Sequence, residues 1–357
     1  MQPSPDFQRL KTVILGQGTP DRLPFYEHYV DDEVVEAISG KAITKLDLTI
    51  HADIKSYVDI LIGFYLDQGY DYVPLERFLD LPRNNILEGA DTAALSRDNR
   101  EWQDENEGVI TNWDEFNSYP WPKDDDLVDY RIFEYAAQTM PDGMKIIGGA
   151  AGGVFEHLSW MMGLVPLSLA LYDAPELIQA MVKKITEMIL TVDGNVINIC
   201  GDSFGALRMG DDLGYKTATM IDPKVLRTEI FPAQKRIVDL AHENNLPFVL
   251  HSCGYLEEIM DDLIDTVGID AKHSFEDAII PVAEWKPKWA NRVGVLGGLD
   301  MDKLCVLDES DLRNYVNQVM DACIPGGNWA LGSGNSIANY VPVTNYLAML
   351  DEGRKRW

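Results

Sequence analysis

Cysteine and positive charge are both scarce in this sequence. Four cysteines in 357 residues are too few for a disulfide framework, so we expect reduced thiols or metal ligands in a cytoplasmic protein. The chain has 30 Lys and Arg against 58 Asp and Glu, and its net charge of −28 argues against binding to nucleic acid or to an anionic membrane. No apolar run approaches the ~20 residues that span a bilayer, and residues 1–11 lack the apolar segment of a signal peptide.

Short β-forming runs alternate with amphipathic helical patterns along the whole chain. This alternation is typical of βαβ units and a parallel sheet, and eight repeats predict an α/β fold, a (βα)8 TIM barrel over residues 1–357. An open doubly wound sheet is the alternative, but no GxGxxG loop follows the first run to support a dinucleotide site. The predicted strands are residues 23–29, 70–74, 144–150, 206–210, 247–252, 269–273, 292–297 and 328–332.

The segment of residues 76–142, after the second predicted strand, is too long for a simple strand-to-helix connection. It is rich in Asp, Asn, Trp and Pro, and it carries Trp102, Trp113 and Trp121. We interpret it as a lid-like insertion over the barrel mouth. The alternative is a solvent-facing excursion whose tryptophans only pack on the rim.

Polar residues occur where most of the predicted strands end. In a TIM barrel the catalytic residues lie at the C-terminal ends of the strands, so these residues are expected to lie around one site. They are Glu27, His28, Asp211, Asp212, His251, Cys253, His273, Glu276, Asp300, Ser333, Asn335 and Ser336.

The HxC motif at the end of the fifth predicted strand is the sharpest local pattern. Residues i and i+2 of a strand point to the same side, so His251 and Cys253 can bind one metal ion, and an imidazole with a thiolate suits Zn²⁺. A buried structural pair is the alternative for so short a motif. Glu276, after the next strand, is the predicted third metal ligand, with a surface carboxylate as the alternative. His273 is either a weaker ligand, a core histidine or a residue that orients a ligand.

Three further residues are candidates for catalysis. Asp211 and Asp212 are adjacent carboxylates after the fourth predicted strand, and only one of them can point inward if the segment is extended. A helix cap or a turn is the alternative for this pair. His28 is either a substrate contact or a packed histidine.

A glycine-rich run and the end of the last strand supply candidate cofactor contacts. Gly152 and Gly153 end the run GGAAGG, whose lack of side chains permits the close approach of a large flat ligand. Ser333 and Asn335, in the sequence GSGNS, complete the predicted cofactor-binding residues.

Several long runs of the sequence are similar to one enzyme superfamily. The run PKVLRTEIFPAQKRIVDLAHENNLPFVLHSCG resembles the uroporphyrinogen decarboxylase superfamily, as do GIDAKHSFED, RVGVLGGLD and GSGNSIANYVPVTNYLAML. The resemblance extends over residues 20–354. It implies a single (βα)8 barrel, in agreement with the strand count.

The superfamily contains two chemistries, and the resemblance favours one of them. The decarboxylases bind a polyanionic tetrapyrrole with arginines in an N-terminal RQAGRY segment, where this chain has the acidic FYEHYVDDEV. The other branch contains zinc-dependent, corrinoid-linked methyltransferases with HxC after the fifth strand and often a Cys after the eighth. His251 and Cys253 match HxC, whereas the position of the last Cys falls at or next to Ser333.

The missing cysteine bears on the chemistry that the resemblance implies. One thiolate, one imidazole and one carboxylate leave zinc more electrophilic toward oxygen than two thiolates do. The resemblance therefore implies a methyltransferase that takes a methyl group from a methoxylated substrate, with zinc as Lewis acid, and passes it to cobalt(I) of a corrinoid protein. Aromatic residues such as Tyr26 and Tyr340 favour an aryl methyl ether, with packing on the rim as the alternative. A corrinoid-to-thiol methyltransferase, a decarboxylase-like lyase and a non-catalytic barrel are the alternatives, and homodimer formation is left open.

Overall fold

Seven parallel strands form the central sheet of the protein, which was analysed as a computed structural model describing residues 4–83 and 86–357. Their order in the sheet is β1-β4-β5-β6-β7-β8-β9, and β2 and β3 form a separate antiparallel hairpin. The strands are β1 (Tyr72–Phe78), β2 (Ile86–Ala90), β3 (Asn99–Gln103), β4 (Lys145–Ala151), β5 (Phe204–Gly210), β6 (Phe248–His251), β7 (Ala271–His273), β8 (Gly294–Leu296) and β9 (Trp329–Ala330).

The predicted first strand, residues 23–29, is present only as an isolated parallel bridge between Phe25 and Leu331. The backbone N–H of Leu331 donates to Pro24 O at 2.9 Å, which attaches this segment beside β9. On the other side, the N–H of Glu27 donates to the hydroxyl of Tyr72 in β1 at 2.8 Å. The segment therefore lies between the first and last strands of the sheet. With the seven strands of the sheet it makes up the eight strand positions of the predicted (βα)8 barrel.

Helices connect the strands and cover the outside of the sheet. In the longest one, buried residues such as Leu177, Met181 and Ile185 recur at helical spacing, so one face packs inward. The α-helices are α1 (Gln8–Ile14), α2 (Asp32–Ser39), α3 (His51–Gln68), α4 (Trp113–Ser118), α5 (Arg131–Thr139), α6 (Val154–Met162), α7 (Leu164–Asp173), α8 (Pro175–Cys200), α9 (Pro223–Val225), α10 (Phe231–Glu243), α11 (Met260–Asp262), α12 (Val282–Trp289), α13 (Met301–Val306), α14 (Glu309–Cys323) and α15 (Val343–Arg354). Short 3-10 turns span Ile43–Lys45, Asp124–Asp126 and Gly201–Ser203, and π-helical turns span Leu226–Ile230 and Leu263–Val267.

The insertion after the predicted second strand is shorter than residues 76–142. Residues 76–78 continue β1, and α5 packs against α3 and α8 as one of the outer helices. Residues 79–130 therefore form the connection between β1 and α5, and this connection contains the β2–β3 hairpin and α4. Trp102 and Trp113 are half-exposed there, whereas Trp121 packs on Tyr119 with ring centroids 4.6 Å apart.

Within the described ranges, no single helix has both the length and the apolarity needed to cross a membrane. Helices α6 and α7 reach that length and composition only together, and they are bent by 98° relative to each other.

Candidate active site and metal centre

A cavity of about 530 Å³ opens at the C-terminal ends of the strands. Its wall includes the segment after residue 27, the end of β1, the start of α6 and the ends of β5 and β6. This is the end of the barrel where the sequence predicted the site. Of the predicted site residues, the wall contains His28, Gly152, Asp212, His251, Cys253 and Asn335.

His251, Cys253 and Asp212 present three metal-binding atoms within 4.8 Å of one another. The Nε2 atom of His251 lies 3.5 Å from Cys253 Sγ and 3.8 Å from Asp212 Oδ1. The same Oδ1 accepts a hydrogen bond from the backbone N–H of Cys253 at 2.8 Å. The β5–β6 ladder produces this arrangement, because the N–H of Asp211 donates to His251 O at 2.9 Å and so places residue 212 beside residue 253.

The surroundings of these donors suit a bound zinc ion. The Ser274 hydroxyl and the Asn335 amide each donate toward Cys253 Sγ at 3.3 Å, as a thiolate requires. Burial raises the pKa of the Cys253 thiol, so a nearby divalent cation is needed to hold it as the thiolate. Burial lowers the pKa of His251 to about 4, so its imidazole is neutral, the form that binds metals. His251 Nδ1 lies 2.8 Å from His273 Nδ1, and this contact leaves Nε2 facing the other two donors.

A second cluster shares His251 with the first. His28, His251 and His273 also bring ligand nitrogens within 4.8 Å of one another, and the His28 ring stacks on the His251 ring at 4.1 Å. Burial lowers the pKa of both His28 and His273, so these imidazoles are neutral as well. Three neutral ligands neutralise none of a divalent ion's charge, whereas Asp212 and Cys253 supply two negative charges. The group with Asp212 is therefore the one whose charge matches that of a divalent ion.

Asp211 and Asp212 lie in different surroundings. Asp211 is fully buried, and its carboxylate accepts hydrogen bonds from Phe155 N at 3.2 Å, Glu156 N at 2.8 Å and Gln234 Nε2 at 2.7 Å. It therefore caps the N-terminus of α6 and is not part of the cavity wall. Burial raises the pKa of Asp211 to about 6. Of the predicted pair, Asp212 is the one that faces the cavity.

The two candidate glycines differ in what they approach. A Cβ at Gly153 would lie 2.3 Å from the Asp211 carboxyl carbon, so this glycine makes room for the helix cap. Gly152 has φ of +81°, and a Cβ there would lie 2.8 Å from the Trp160 ring. Of these two glycines, Gly152 alone is exposed to the cavity.

Ser333 is turned away from the metal-binding cluster. Its hydroxyl donates to Glu27 Oε2, and its backbone N–H donates to Glu27 Oε1 at 2.9 Å. Burial raises the pKa of Glu27 to about 8, although both hydrogen bonds from Ser333 act to lower it. Only the carbonyl of Ser333 approaches the cluster, with its oxygen 3.2 Å from His273 Nε2.

Glu276 lies in a neighbouring pocket of about 20 Å³, which Lys272 and Trp285 also line. The loop after β7 turns aside there, because Phe275 N donates to Gly334 O at 2.9 Å. Among the described residues, the carboxylate grouped with His251 and Cys253 is that of Asp212, not that of Glu276.

Comparisons with known proteins agree with this architecture. The family model for uroporphyrinogen decarboxylase (URO-D) matches residues 107–356. The chain belongs to the URO-D family. This membership confirms the superfamily resemblance and the TIM barrel. No curated protein gives a significant match.

Solved structures match this chain over nearly its whole length. A methyltransferase from Methanosarcina mazei superposes with a TM-score of 0.68 at 14% sequence identity, over 97% of each chain. A protein described as a vitamin-B12-independent methionine synthase from Listeria monocytogenes has a TM-score of 0.48 at 13% identity, over 94% of this chain and 99% of that one.

Sequence reasoning did not identify the ion pair beneath the cavity of this URO-D-family chain. Arg208, fully buried in β5, donates from Nε to Glu76 Oε1 at 2.6 Å and from a guanidinium nitrogen to the backbone oxygen of His28. The pair thus fixes the segment that carries His28. A single arginine inside the apolar run ALRMG is the pattern that points to such a buried pair, since a buried charge needs a partner.

Proposed function

We propose that this chain is a methyltransferase that removes a methyl group from a methoxylated substrate and passes it to cobalt(I) of a corrinoid protein. The observation that carries the proposal is the group of Asp212, His251 and Cys253 in the cavity wall. Three protein ligands and one open position are the usual arrangement of a catalytic zinc ion. The likeness in fold to a methyltransferase supports the same reading.

Zinc bound by these residues would supply Lewis acidity toward the ether oxygen that leaves as the methyl group is transferred. The protein's part is to hold the ligands and the substrate. His273 fixes the ring of His251, while Ser274 and Asn335 donate toward the Cys253 sulfur. His28 lines the cavity and its Nδ1 has no hydrogen-bond partner, so we assign its imidazole to the substrate oxygen.

The ligand set favours an oxygen leaving group over a thiol acceptor. Asp212 takes the carboxylate position that the sequence assigned to Glu276, and Ser333 cannot replace the missing cysteine because its hydroxyl is bound to Glu27. A zinc ion held by Asp212, His251 and Cys253 would have one thiolate ligand and would be more electrophilic toward oxygen.

The rim of the cavity suits a bulky methyl acceptor carried by a partner. Phe78 is 60% exposed at the end of β1, and Tyr29 and Tyr340 are each more than 40% exposed. Phe78 and Tyr29 lie in the cavity wall itself. We therefore place the corrinoid protein at this mouth.

The test is methyl transfer by the purified protein. With zinc, cob(I)alamin and a panel of methoxyarenes, we expect methylcobalamin to appear in the visible absorption spectrum. The protein should bind about one zinc per chain, and His251→Ala with Cys253→Ala should abolish both zinc binding and transfer. Stoichiometric zinc that survives both substitutions, or no transfer to cob(I)alamin or a cognate corrinoid protein from any donor, would contradict the proposal.

A further inference from the structure

One cation in the cavity wall, Arg77, forms no ion pair with the described residues. Arg77 lies at the C-terminal end of β1, and its Nε is buried without a hydrogen-bond partner. Within residues 4–83 and 86–357, Arg77 Nε has no hydrogen-bond partner and the Arg77 guanidinium forms no ion pair within 4 Å. Buried donors in native proteins almost always have an acceptor, so this guanidinium calls for an explanation.

The other two arginines of the cavity are already neutralised. Arg208 is paired with Glu76 at 2.6 Å. Arg97 is paired with Asp31 and, at 3.0 Å, with Glu33. Their charges are therefore held in ion pairs, whereas the guanidinium of Arg77 forms none in the part of the chain that the structure describes.

The acidic groups near Arg77 are bound elsewhere. Asp32 accepts a hydrogen bond from the Tyr57 hydroxyl at 3.2 Å, and burial disfavours its charge by raising its pKa to about 6. Arg77 helps to lower the pKa of Asp129, but Arg131 holds that carboxylate, with Nε 3.0 Å from Oδ1. Neither acid bonds to Arg77.

Two buried polar atoms without partners lie in the cavity wall. They are Arg77 Nε and Nδ1 of His28, and His28 stacks on the proposed metal ligand His251. Apolar side chains of the same wall, including Leu61 and Ile132, suit the body of an apolar ligand. A ligand with a polar atom at one end and an anionic group at the other would face the His28 imidazole and the Arg77 guanidinium.

We propose that Arg77 determines substrate specificity and that the methyl donor is a methoxylated aromatic carboxylate. The planar guanidinium binds the carboxylate, and the ether oxygen is directed toward His28 and the metal ligands. This assignment rests on the proposed methyl-transfer function, since it places the ether oxygen by the zinc site.

The test measures binding and needs neither a corrinoid nor methyl transfer. Isothermal titration calorimetry on the full-length, zinc-supplemented protein compares 4-methoxybenzoate with its neutral isostere, 4-methoxybenzyl alcohol. We expect the wild type to prefer the carboxylate by about 10- to 100-fold, the range for a charged hydrogen-bonded contact. Arg77→Gln should reduce the preference to about twofold, whereas Arg77→Lys should retain part of it.

Arg97→Gln is the matched control, because Arg97 lies in the same cavity but is paired with Asp31 and Glu33. It should keep the preference for the carboxylate. A preference that survives Arg77→Gln would mean that the metal site binds the anion, and would overturn the assignment. Failure of the wild type to bind 4-methoxybenzoate at millimolar concentration, or equal affinity for both probes, would overturn it as well.

The two proposals can fail separately. Binding of the carboxylate through Arg77 without methylcobalamin formation would contradict methyl transfer and retain the role of Arg77 in carboxylate binding. Methyl transfer from neutral donors that is unchanged in Arg77→Gln would retain the function and reject the role of Arg77.

Discussion

Asp211 and Asp212 are neighbours in the chain, yet hydrogen bonding gives their carboxylates different tasks. Three donors from α6 and α10 surround the carboxylate of Asp211, which leaves it little capacity for a metal or substrate. Asp212 is half-exposed and accepts one hydrogen bond, from Cys253 N. Its remaining lone pairs face His251 and the cavity, so Asp212 is the carboxylate that we assign to the zinc.

The first prediction at the residue scale tests that assignment. Asp212→Asn keeps an oxygen for the Cys253 N–H but removes the negative charge, so we expect zinc affinity to fall at least about 10- to 100-fold. Glu276→Gln is the matched control, because that carboxylate lies in the neighbouring pocket. Competition with a chromogenic chelator measures both variants. The reverse pattern, with weak zinc binding only in Glu276→Gln, would restore the ligand set inferred from the sequence.

The contrast between Asp212 and Glu276 indicates which metal ligands the sequence can predict and which it cannot. The grouping of His251 with Cys253 follows from the two-residue repeat of a strand, which is a local property. Choosing between Asp212 and Glu276 requires the β5–β6 register and the path of the loop after β7, and both depend on contacts between distant residues. The unpaired guanidinium of Arg77 is likewise visible only when the partners of the surrounding acids are known.

At the scale of elements, the weakest strand of the barrel is joined to the last one through a buried carboxylate. The segment around Phe25 has a single bridge to Leu331, and Glu27 adds two hydrogen bonds to Ser333. The β-forming pattern of residues 23–29 predicted this strand. It could not predict that side-chain contacts supply much of the pairing. The seven other strands have residues in common with the predicted runs, with shifts of a few residues at their ends.

The state of Glu27 should make stability depend on pH. Burial raises its pKa from 4.5 to about 8, so its contribution is fully present below about 4.5 and is lost as the pH rises through 8. We therefore expect the free energy of unfolding to decrease over this window, by a few kcal/mol at most from Glu27, since each pKa unit corresponds to about 1.4 kcal/mol. Urea unfolding of the wild type and of Glu27→Gln at pH 5 and pH 8.5 gives the change in the free energy of unfolding with pH for each protein. The difference between these two pH slopes measures the effect of Glu27.

Ser333→Ala serves as the control for that difference. The hydrogen bonds from Ser333 lower the pKa of Glu27, so losing the hydroxyl should raise the pKa further and steepen the slope. Equal slopes in the wild type and Glu27→Gln would show that the carboxyl is not buried as described.

On the scale of the whole molecule, the segment between β1 and α5 contributes Arg97 to the cavity wall. Arg97, in the loop of the β2–β3 hairpin, lies in the cavity wall and is paired with Asp31 and Glu33 beside α2. The composition of residues 76–142 indicated an insertion at this end of the barrel. That composition could not indicate that α5 is one of the outer helices of the barrel, because the amphipathic pattern of α5 resembles that of any surface helix. With a charge of −28 on this chain, the corrinoid protein that we propose as partner would bind through complementary patches or chiefly by shape.

Asn339 holds the hairpin to the barrel, and its removal should release it. Its buried amide donates to Asp91 Oδ2 at 2.6 Å and to Leu95 O at 2.9 Å, and its side-chain oxygen accepts from Arg100 at 3.1 Å. Two of these three hydrogen bonds involve charged groups, so Asn339→Ala should lower the local opening free energy by about 2–4 kcal/mol. Hydrogen–deuterium exchange should then be at least about 30-fold faster in residues 86–103. Global stability should change less, because most of the hairpin surface is exposed.

Asn345→Ala is the control: Asn345 is also buried, but its amide bonds to Leu304 O and Leu307 O, away from the hairpin. It should destabilise the barrel and leave hairpin exchange unchanged. Unaltered protection of residues 86–103 in Asn339→Ala would mean that the ion pairs of Arg97 hold the hairpin without it.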